Sequence, residues 1–173
     1  MELYIPLNGG ASFGRKVYRT AVGRGGISKS KREGDGASPA GAFKLCKVFY
    51  RADRVSPPQT DLDMAKITPF DGWCDSPDDP NYNSLVTMPY HASCEPLYRK
   101  DPAYDILVTT SHNTDPTIAG AGSAIFLHIL KHPDYEPTEG CIAFSENSLR
   151  EILGLWNPLS DWLMIGSRPA VQK

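Results

Sequence analysis

A cysteine and a histidine are the two side chains of this sequence whose types and spacing could support nucleophilic chemistry. Cys141 follows Gly140 in PTEGCIAFS, and His128 lies thirteen residues earlier in the apolar run AIFLHILK. A thiol attacks as its thiolate, and its ordinary pKa of about 8.5 leaves it protonated at neutral pH, so it needs a base or cation within hydrogen-bond reach. The pair predicts acyl chemistry with Cys141 as nucleophile and His128 as base.

Both side chains could instead belong to the apolar core or to a metal site. A cysteine before an apolar run often packs as a small hydrophobic residue, and a histidine in such a run can be a hydrogen-bonded core residue. A metal site from His112, His128, His132 and Asp134 is a weaker alternative, because these spacings match no familiar zinc motif. A catalytic thiol is expected to react fast with iodoacetamide and to have a depressed pKa.

Catalysis by this pair needs supporting groups around it. A hydrogen-bond acceptor must fix the tautomer of His128, and no single Asp or Asn stands out for that task, which favours a backbone carbonyl. Gly140 has no side chain and lets another segment approach the backbone beside Cys141. Main-chain N–H groups at this point could form an oxyanion hole.

The elements that must hold these residues are mainly strands. Alternating and β-branched runs predict strands at residues 16–23, 42–50, 105–110, 123–130, 141–144 and 161–166. One helix is predicted at residues 146–156, with Ser145 as its N-cap and an apolar stripe along one face. The pattern indicates a mainly β domain with few helices.

Residues 68–105, here called the insertion, differ from the rest of the chain. They are rich in Pro, Asp, Asn and aromatic residues and show little periodicity. The aromatic content argues against disorder. A long ordered loop in a compact domain usually forms a lid or a binding wall, so the insertion is predicted to be functional.

Length and charge bound the remaining options. The chain has 173 residues, which predicts a single domain over 1–173. Its 18 basic and 20 acidic residues give a net charge of −2, so neither nucleic acid nor an anionic membrane is expected as a partner. No apolar run approaches the roughly 20 residues needed to span a bilayer. The four cysteines leave a Cys74–Cys94 bridge open.

Two motifs resemble those of a known family, the L,D-transpeptidases of the YkuD type. That family has a histidine on one strand, then a loop, then Ser/Thr-His-Gly-Cys, and this chain has His128 followed by TEGC at residues 138–141. The upstream family segment Thr/Ser-Pro-x-Gly-x-Phe matches SPAGAF at residues 38–43. Segments such as GSAIFLH resemble a proteobacterial branch, and the resemblance covers residues 25–166.

The resemblance implies a mainly β fold, the YkuD-like β-sandwich with one or two short helices and a long ordered insertion. It implies a cysteine-dependent transferase of peptidoglycan biosynthesis, acting in cell-wall formation and cell shape. Cys141 would attack the diaminopimelate carbonyl of a donor stem peptide, and His128 would take the thiol proton and later deprotonate the acceptor amine. The carbonyl of Ile129 would orient the imidazole, and the N–H groups of Gly140 and Cys141 would hold the oxyanion.

The implied partners are the donor and acceptor stem peptides, with no metal or organic cofactor. Arg99 would bind the carboxylate of a diaminopimelate side chain, a task suited to a bidentate guanidinium. Tyr104, His112 and Asn113 would line the donor pocket. Trp73 would stack on a sugar or stem peptide, or anchor the insertion, and anchoring is favoured.

Glu139 departs from the family pattern, which has a histidine at this position. A carboxylate beside Cys141 would raise the thiol pKa, so Glu139 is expected to face away, to pair with Lys131 or an arginine of the insertion, or to bind the acceptor amine. The Asn or Arg that follows the family's cysteine is replaced here by IAF at residues 142–144. These departures bear on the acceptor more than on the thiol.

Two competing functions stay open. An L,D-carboxypeptidase would form the same thioester and resolve it with water, whereas a non-catalytic cell-wall-binding β domain would leave Cys141 unreactive. The peptidoglycan substrate indicates the periplasm or cell envelope. The start MELYIPLNGG lacks the features of an export signal, so a cytoplasmic location is expected unless such a signal was removed. A monomer is the default expectation.

Overall fold

Strands dominate the computed structural model, which describes residues 1–167. In chain order the strands are β1 (Glu2–Ile5), β2 (Ala11–Phe13), β3 (Lys16–Tyr18), β4 (Thr20–Ala21), β5 (Ile27–Ser28), β6 (Ser38–Pro39), β7 (Gly41–Phe43), β8 (Leu45–Tyr50), β9 (Asp63–Lys66), β10 (Asp71–Cys74), β11 (Leu85–Thr87), β12 (Cys94–Pro96), β13 (Ile106–Thr110), β14 (Phe126–Ile129), β15 (Ile142–Phe144) and β16 (Trp162–Ile165). Helix α1 is Glu146–Leu155, and a short 3₁₀ helix covers Pro102–Tyr104. The predicted mainly β fold with few helices is confirmed.

Two larger sheets and two smaller ones organise these strands. The five-stranded sheet has the order β3-β2-β1-β16-β7, and the six-stranded sheet has the order β4-β15-β14-β13-β8-β9. The insertion holds a three-stranded sheet of order β11-β10-β12, and β5 pairs with β6. Most pairs are antiparallel, but four are parallel, namely β1–β16, β5–β6, β8–β9 and β14–β15.

The main core joins the two larger sheets as the layers of a sandwich. Leu3 and Ile5 of the five-stranded sheet and Leu127 and Ile142 of the six-stranded sheet are fully buried in one apolar cluster. Helix α1 adds the buried side chains of its apolar stripe to the same cluster. This burial of apolar surface on both layers is what holds the sandwich together.

A second core covers the opposite face of the six-stranded sheet. Side chains alternate along a strand, so Leu127 and Ile129 of β14 enter the main core while Phe126 enters the second one. Leu97 and Tyr104, from the end of the insertion, pack into this second core. The insertion is therefore an ordered wall on the outer face of the sheet, as predicted, and it contains strands that the sequence did not indicate.

The structure corrects several predicted boundaries. The single strands expected at 16–23 and 42–50 are each broken, at Arg19 and at Lys44, and their halves join different sheets. The strand expected from 123 starts only at Phe126, because Ala124 has a φ of 52° in the left-handed region. Helix α1 begins after Ser145 as predicted, with the Ser145 side chain accepting from the Ser148 N–H, and ends one residue early at Leu155.

Candidate active site

His128 and Cys141 come from neighbouring strands and share one face of the sheet. In the parallel pair β14–β15, His128 is the register partner of Ala143, and Cys141 lies two residues before Ala143. Residues two apart on a strand point to the same side, so the thiol and the imidazole both project away from the main core. The expected meeting of these two segments is confirmed, and both side chains line one cavity.

The imidazole of His128 is held in one tautomer. Its Nδ1 lies 2.7 Å from the carbonyl oxygen of Ile129, the contact that the resemblance implies. Because a carbonyl only accepts, Nδ1 must carry the proton and Nε2 is left as the basic nitrogen. The side chain is buried, and this burial lowers the pKa of His128 from 6.5 to about 4. The resting imidazole is neutral and able to accept a proton.

The Cys141 thiol is a neutral, hydrogen-bonded group in the resting structure. It donates to the carbonyl oxygen of Ala124, with Sγ 3.1 Å away, and accepts from the Phe126 N–H at 3.4 Å. Burial raises the pKa of Cys141 from 9.0 to about 12, the negative charge of Glu95 adds to this rise, and the Phe126 N–H opposes it. In this structure the pKa of the Cys141 thiol is thus shifted upward, in the direction opposite to the depression expected of a catalytic thiol.

The turn before Cys141 is fixed by short hydrogen bonds. The Thr138 hydroxyl accepts from the Gly140 N–H at 3.1 Å and donates to the Cys141 carbonyl at 2.6 Å. Gly140 has a φ of 139°, and a Cβ there would lie 3.0 Å from the carbonyl oxygen of Ala37. Both the backbone angle and the close approach require glycine. The Gly140 N–H reaches an oxyanion only by sharing its proton with Thr138.

Ser38 ties the upstream motif to this turn. Its fully buried hydroxyl accepts from the Gly23 N–H at 2.9 Å and donates to the Gly140 carbonyl at 2.8 Å. The segment from residue 38 to residue 43 thus meets the nucleophile turn through a side chain and not only through packing. This contact explains why the two motifs, about 100 residues apart, act on one site.

The cavity in front of Cys141 has a volume of about 590 Å³. Its walls come from the segment near Lys31, from the insertion, and from the loop between β14 and β15. Five carboxylates and three basic side chains line it, so the wall is charged and on balance acidic. A cavity of this size suits one ligand of small-molecule dimensions.

Tyr104 connects the catalytic pair to the insertion. Its ring lies edge-on to His128, with centroids 5.4 Å apart, and its hydroxyl donates to Glu95 at 2.6 Å. Arg99 sits over the Tyr104 ring at 5.0 Å and contacts Glu95 at 3.3 Å and Asp101 at 2.7 Å. Tyr104 and Arg99 both line the cavity, as predicted, and the guanidinium is already paired with two carboxylates.

His112, Asn113 and Trp73 are placed elsewhere, and none of them is among the residues that line the cavity. His112 contacts the Ala121 carbonyl at 3.1 Å, and Asn113 donates to the carbonyl of Gly122 at 3.0 Å, so both order the loop before β14. Trp73 donates to Asn83 at 2.9 Å and packs edge-on to Phe126, which is the anchoring role. The predicted donor-pocket position of His112 and Asn113 is not what the structure shows.

Glu139 faces solvent and pairs with Arg24, with Oε2 2.7 Å from Nε. Its side chain is 79% exposed, so it lies away from the thiol while still lining the cavity mouth. The partner comes from the segment before Ser38, and not from Lys131 or the insertion. Of the three orientations expected for this side chain, facing away is the one that the geometry matches.

Sequence reasoning missed Glu95 and Asp75, the acidic residues nearest to the chemistry on the insertion side. Each follows a cysteine, and they are brought together because Cys74 and Cys94 are register partners in β10 and β12. Burial raises the pKa of Glu95 above its ordinary value, the hydrogen bond from Tyr104 opposes the rise, and the charge of Asp75 adds to it. The matched Cys-acid pairs were the signal that could have revealed them.

The metal alternative finds no support in residues 1–167, where no three His, Cys, Asp or Glu side chains are grouped so as to hold an ion. Within the same residues, no helix has the length and apolar character needed to cross a membrane.

Comparison with known proteins gives one family match. The family described as YkuD, the L,D-transpeptidase catalytic domain, matches residues 3–161. A comparison with curated proteins gives no match. The matched range includes the six-stranded sheet, the insertion and the residues that line the cavity, and it ends just before β16 of the five-stranded sheet.

Proposed function

The chain belongs to the YkuD family of L,D-transpeptidase catalytic domains, and from that premise we propose that it is a cysteine-dependent acyltransferase of peptidoglycan. The donor is a stem peptide attacked at its diaminopimelate carbonyl, and the acceptor is an amine of a second stem peptide. The observation that carries the proposal is the placement of Cys141 and His128 on one face of β14–β15 at the wall of a cavity. Because peptidoglycan lies outside the cytoplasmic membrane, we place the reaction in the periplasm.

The first step is the transfer of the thiol proton. The thiol turns from the Ala124 carbonyl to Nε2 of His128, which is the unprotonated nitrogen because Nδ1 is held by Ile129. The raised pKa of Cys141 and the lowered pKa of His128 disfavour a preformed ion pair. Proton transfer and attack on the carbonyl therefore occur together, after the donor has displaced water from the cavity.

The second step forms the thioester. Sγ bonds to the diaminopimelate carbonyl carbon, the oxygen becomes an oxyanion, and the amide C–N bond breaks as His128 returns its proton to the leaving amine. Backbone N–H donors at Cys141 and Gly140 lie next to the nucleophile and support the oxyanion role. The acceptor amine then loses its proton to His128 and attacks the thioester carbon. As the new C–N bond forms, the C–Sγ bond breaks and His128 returns the proton to Sγ, which restores the neutral Cys141–His128 pair.

Hydrolysis is the second candidate, and the cavity favours it. One cavity of about 590 Å³ holds Cys141 and His128, and its size fits a single ligand better than two stem peptides. Water in place of the acceptor amine would make the protein an L,D-carboxypeptidase with the same thioester. The chemistry up to that intermediate is common to both.

Incubation with purified muropeptides tests the proposal, with products and adducts read by mass spectrometry. For the wild-type protein we expect a thioester adduct on Cys141 and new crosslinked dimers. The Cys141→Ala protein should form neither the adduct nor the dimers. His128→Gln should slow acylation by roughly 100-fold or more, as expected for loss of a general base. Cys46→Ala, which removes an exposed cysteine, should match the wild type.

The ratio of products separates the candidates. Crosslinked dimers identify a transpeptidase, and a trimmed stem with no dimer identifies a carboxypeptidase. A wild-type protein that behaves like Cys141→Ala, with neither adduct nor product, would overturn both and leave the cell-wall-binding domain.

A further inference from the structure

Two buried polar atoms on the cavity wall have no hydrogen-bond partner among the described residues. They are Asp75 Oδ1 and Ser123 Oγ. Both residues line the cavity that holds Cys141, and Ser123 is only 7% exposed. The Tyr82 hydroxyl lies near Ser123 but the two do not reach hydrogen-bond geometry. A buried polar group without a partner is costly, so two such atoms among the residues that line one cavity indicate a missing ligand.

Of the four other carboxylates that line the cavity, three are already engaged and Glu136 is exposed to solvent. Three have partners in the structure, namely Glu33 with Tyr82, Glu95 with Tyr104, and Glu139 with Arg24. Asp75 differs because its buried oxygen accepts from no described residue. A cation that enters the cavity would therefore find a buried carboxylate acceptor at Asp75.

The two orphaned atoms are suited to an ammonium group. A carboxylate oxygen and a hydroxyl oxygen both accept hydrogen bonds, and an ammonium offers three donors and no acceptor. The carboxylate charge of Asp75 would also offset the cost of bringing a cation into a partly buried site. If the carbon that carries the ammonium also carries a carboxylate, that carboxylate would face Arg99, which lines the same cavity. The Arg99 guanidinium has N–H groups beyond those it donates to Asp101 and Glu95.

We propose that Asp75 and Ser123 form a subsite for the side-chain ammonium of the donor's diaminopimelate, with Arg99 facing the carboxylate on the same carbon. The subsite rests on the proposed function, since it names how that donor is selected. Asp75 and Ser123 act on binding and take no part in proton transfer at Cys141. The enzyme thus recognises the free amino-acid end of the side chain as a zwitterion.

Binding to a protein without its nucleophile tests the subsite independently of catalysis. Titration calorimetry in the Cys141→Ala background compares a stem tetrapeptide containing diaminopimelate with one containing 2-aminopimelate, which keeps the carboxylate and lacks the ammonium. We expect the first peptide to bind at least 10-fold more tightly. Asp75→Asn should remove most of that difference, because it removes the charge that pairs with the ammonium, and Ser123→Ala should remove part of it, because it removes one neutral acceptor.

Asp78→Asn is the matched control, because it removes the same charge from an exposed position of the insertion outside the cavity lining. It should leave the 10-fold preference unchanged. Equal binding of the two peptides by the Cys141→Ala protein, or an Asp75→Asn protein that keeps the full preference, would overturn the subsite. If the Asp75→Asn protein does not fold, the affinities of the Ser123→Ala protein and of the Cys141→Ala protein for the two peptides still test the subsite.

Failure of the proposed function gives a different result. In that case the wild-type protein makes no adduct or product from any stem peptide, whatever the binding preference is. Failure of the subsite alone leaves product formation intact, with equal kcat/KM for the two donors.

Discussion

At the scale of single residues, Cys141 and His128 form a neutral pair. Burial acts on both, raising the pKa of the thiol to about 12 and lowering that of the imidazole to about 4. Glu95 strengthens this state because its charge opposes thiolate formation. In the proposed reaction the free protein therefore keeps the Cys141 thiol protonated, and binding of the donor has to provide the conditions for attack.

The contribution of Glu95 can be measured through the thiol. Glu95→Gln removes the negative charge that raises the pKa of Cys141, so the thiol pKa should fall and alkylation should be faster at a given pH between 7 and 9. The rate of iodoacetamide labelling at Cys141, followed by peptide mass spectrometry across pH, gives the pKa of each variant.

Glu139→Gln is the matched control for this measurement. Glu139 is closer in sequence, but it is exposed, pairs with Arg24 and is not among the groups that shift the thiol pKa. It should leave the labelling profile unchanged. A Glu95→Gln profile that coincides with the wild type would contradict the electrostatic role of Glu95.

Gly140 is a second single-residue test. Gly140→Ala places a Cβ 3.0 Å from the Ala37 carbonyl in a residue whose φ is 139°, so unfolding should require about 1–3 kcal/mol less free energy. The nucleophile turn should shift with it, and activity should fall more than stability. Urea unfolding and muropeptide turnover measure the two effects.

Gly154→Ala is the contrasting variant. Gly154 lies in helix α1, where a Cβ meets nothing closer than 3.8 Å, so alanine should stabilise the helix by up to about 1 kcal/mol. A Gly140→Ala protein as stable and as active as the wild type would show that the turn tolerates a side chain.

At the scale of elements, the parallel pair β14–β15 and the short sheet of the insertion face each other across the cavity. His128 of β14 and Cys141, just before β15, supply the imidazole and the thiol. The short sheet supplies Glu95 of β12 and Asp75, the residue after β10. In the proposed reaction, donor recognition and acyl transfer thus come from two separately built elements. A covalent bond that restrains the sheet of the insertion should therefore change the cavity wall without altering Cys141.

Cys74 and Cys94 offer such a lock. They are register partners and free thiols. On the other side of β10, the backbone N–H of Cys74 donates to the Ser84 carbonyl, and the Cys74 carbonyl accepts from the Asn83 N–H. Toward β12 they form a non-hydrogen-bonded pair, whose Cα atoms lie about 4.5 Å apart, within disulfide range. We predict that oxidised glutathione converts them to a disulfide, the two thiols giving up two protons and two electrons as glutathione is reduced.

The product is checked by intact mass and by peptide mapping after alkylation of unfolded protein. Closing a loop of roughly 20 residues should raise the unfolding free energy by about 3 kcal/mol, less any strain. Cys46→Ser should still form the bridge and Cys94→Ser should not. Full alkylation of both cysteines after oxidation would rule the bridge out.

At the scale of the whole molecule, the six-stranded sheet is covered on both faces, by the main core on one side and by the insertion on the other. His128 sits under the second cover, and burial there keeps it neutral. The unfolded chain binds a proton at this histidine below about pH 6.5. The free energy of unfolding is therefore unaffected by this histidine above pH 6.5. It decreases as the pH falls from 6.5 toward 4, because only the unfolded chain gains the proton in that range.

The prediction is a fall in unfolding free energy of up to about 3 kcal/mol between pH 7 and pH 4, assigned to His128. The His128→Gln protein should lack this pH-dependent fall. Subtracting its unfolding free energy from that of the wild type therefore separates the effect of His128 from that of Glu95, whose raised pKa acts in the opposite direction. Urea unfolding at half-unit pH steps provides the comparison. Parallel curves for the two proteins would contradict the lowered pKa.

The sequence by itself determined the mainly β class, helix α1 with its Ser145 cap, and the pairing of Cys141 with His128. These depend on local periodicity, on capping chemistry and on motifs a few residues long, which a linear reading contains. The insertion could also be predicted as an ordered wall, because its aromatic residues had to be buried somewhere.

The tertiary structure alone decided what lies opposite the nucleophile. Glu95 reaches Tyr104 and Asp75 reaches the cavity only because β10 and β12 pair, and the broken strands at Arg19 and Lys44 join different sheets. Such pairings and the burial that sets the pKa of Cys141 and His128 depend on segments far apart in the chain. The types of the residues thus determined which chemistry the site could support. The protonation states of Cys141 and His128, and the residues that line the cavity opposite them, were determined by packing between distant segments, which no local sequence pattern shows.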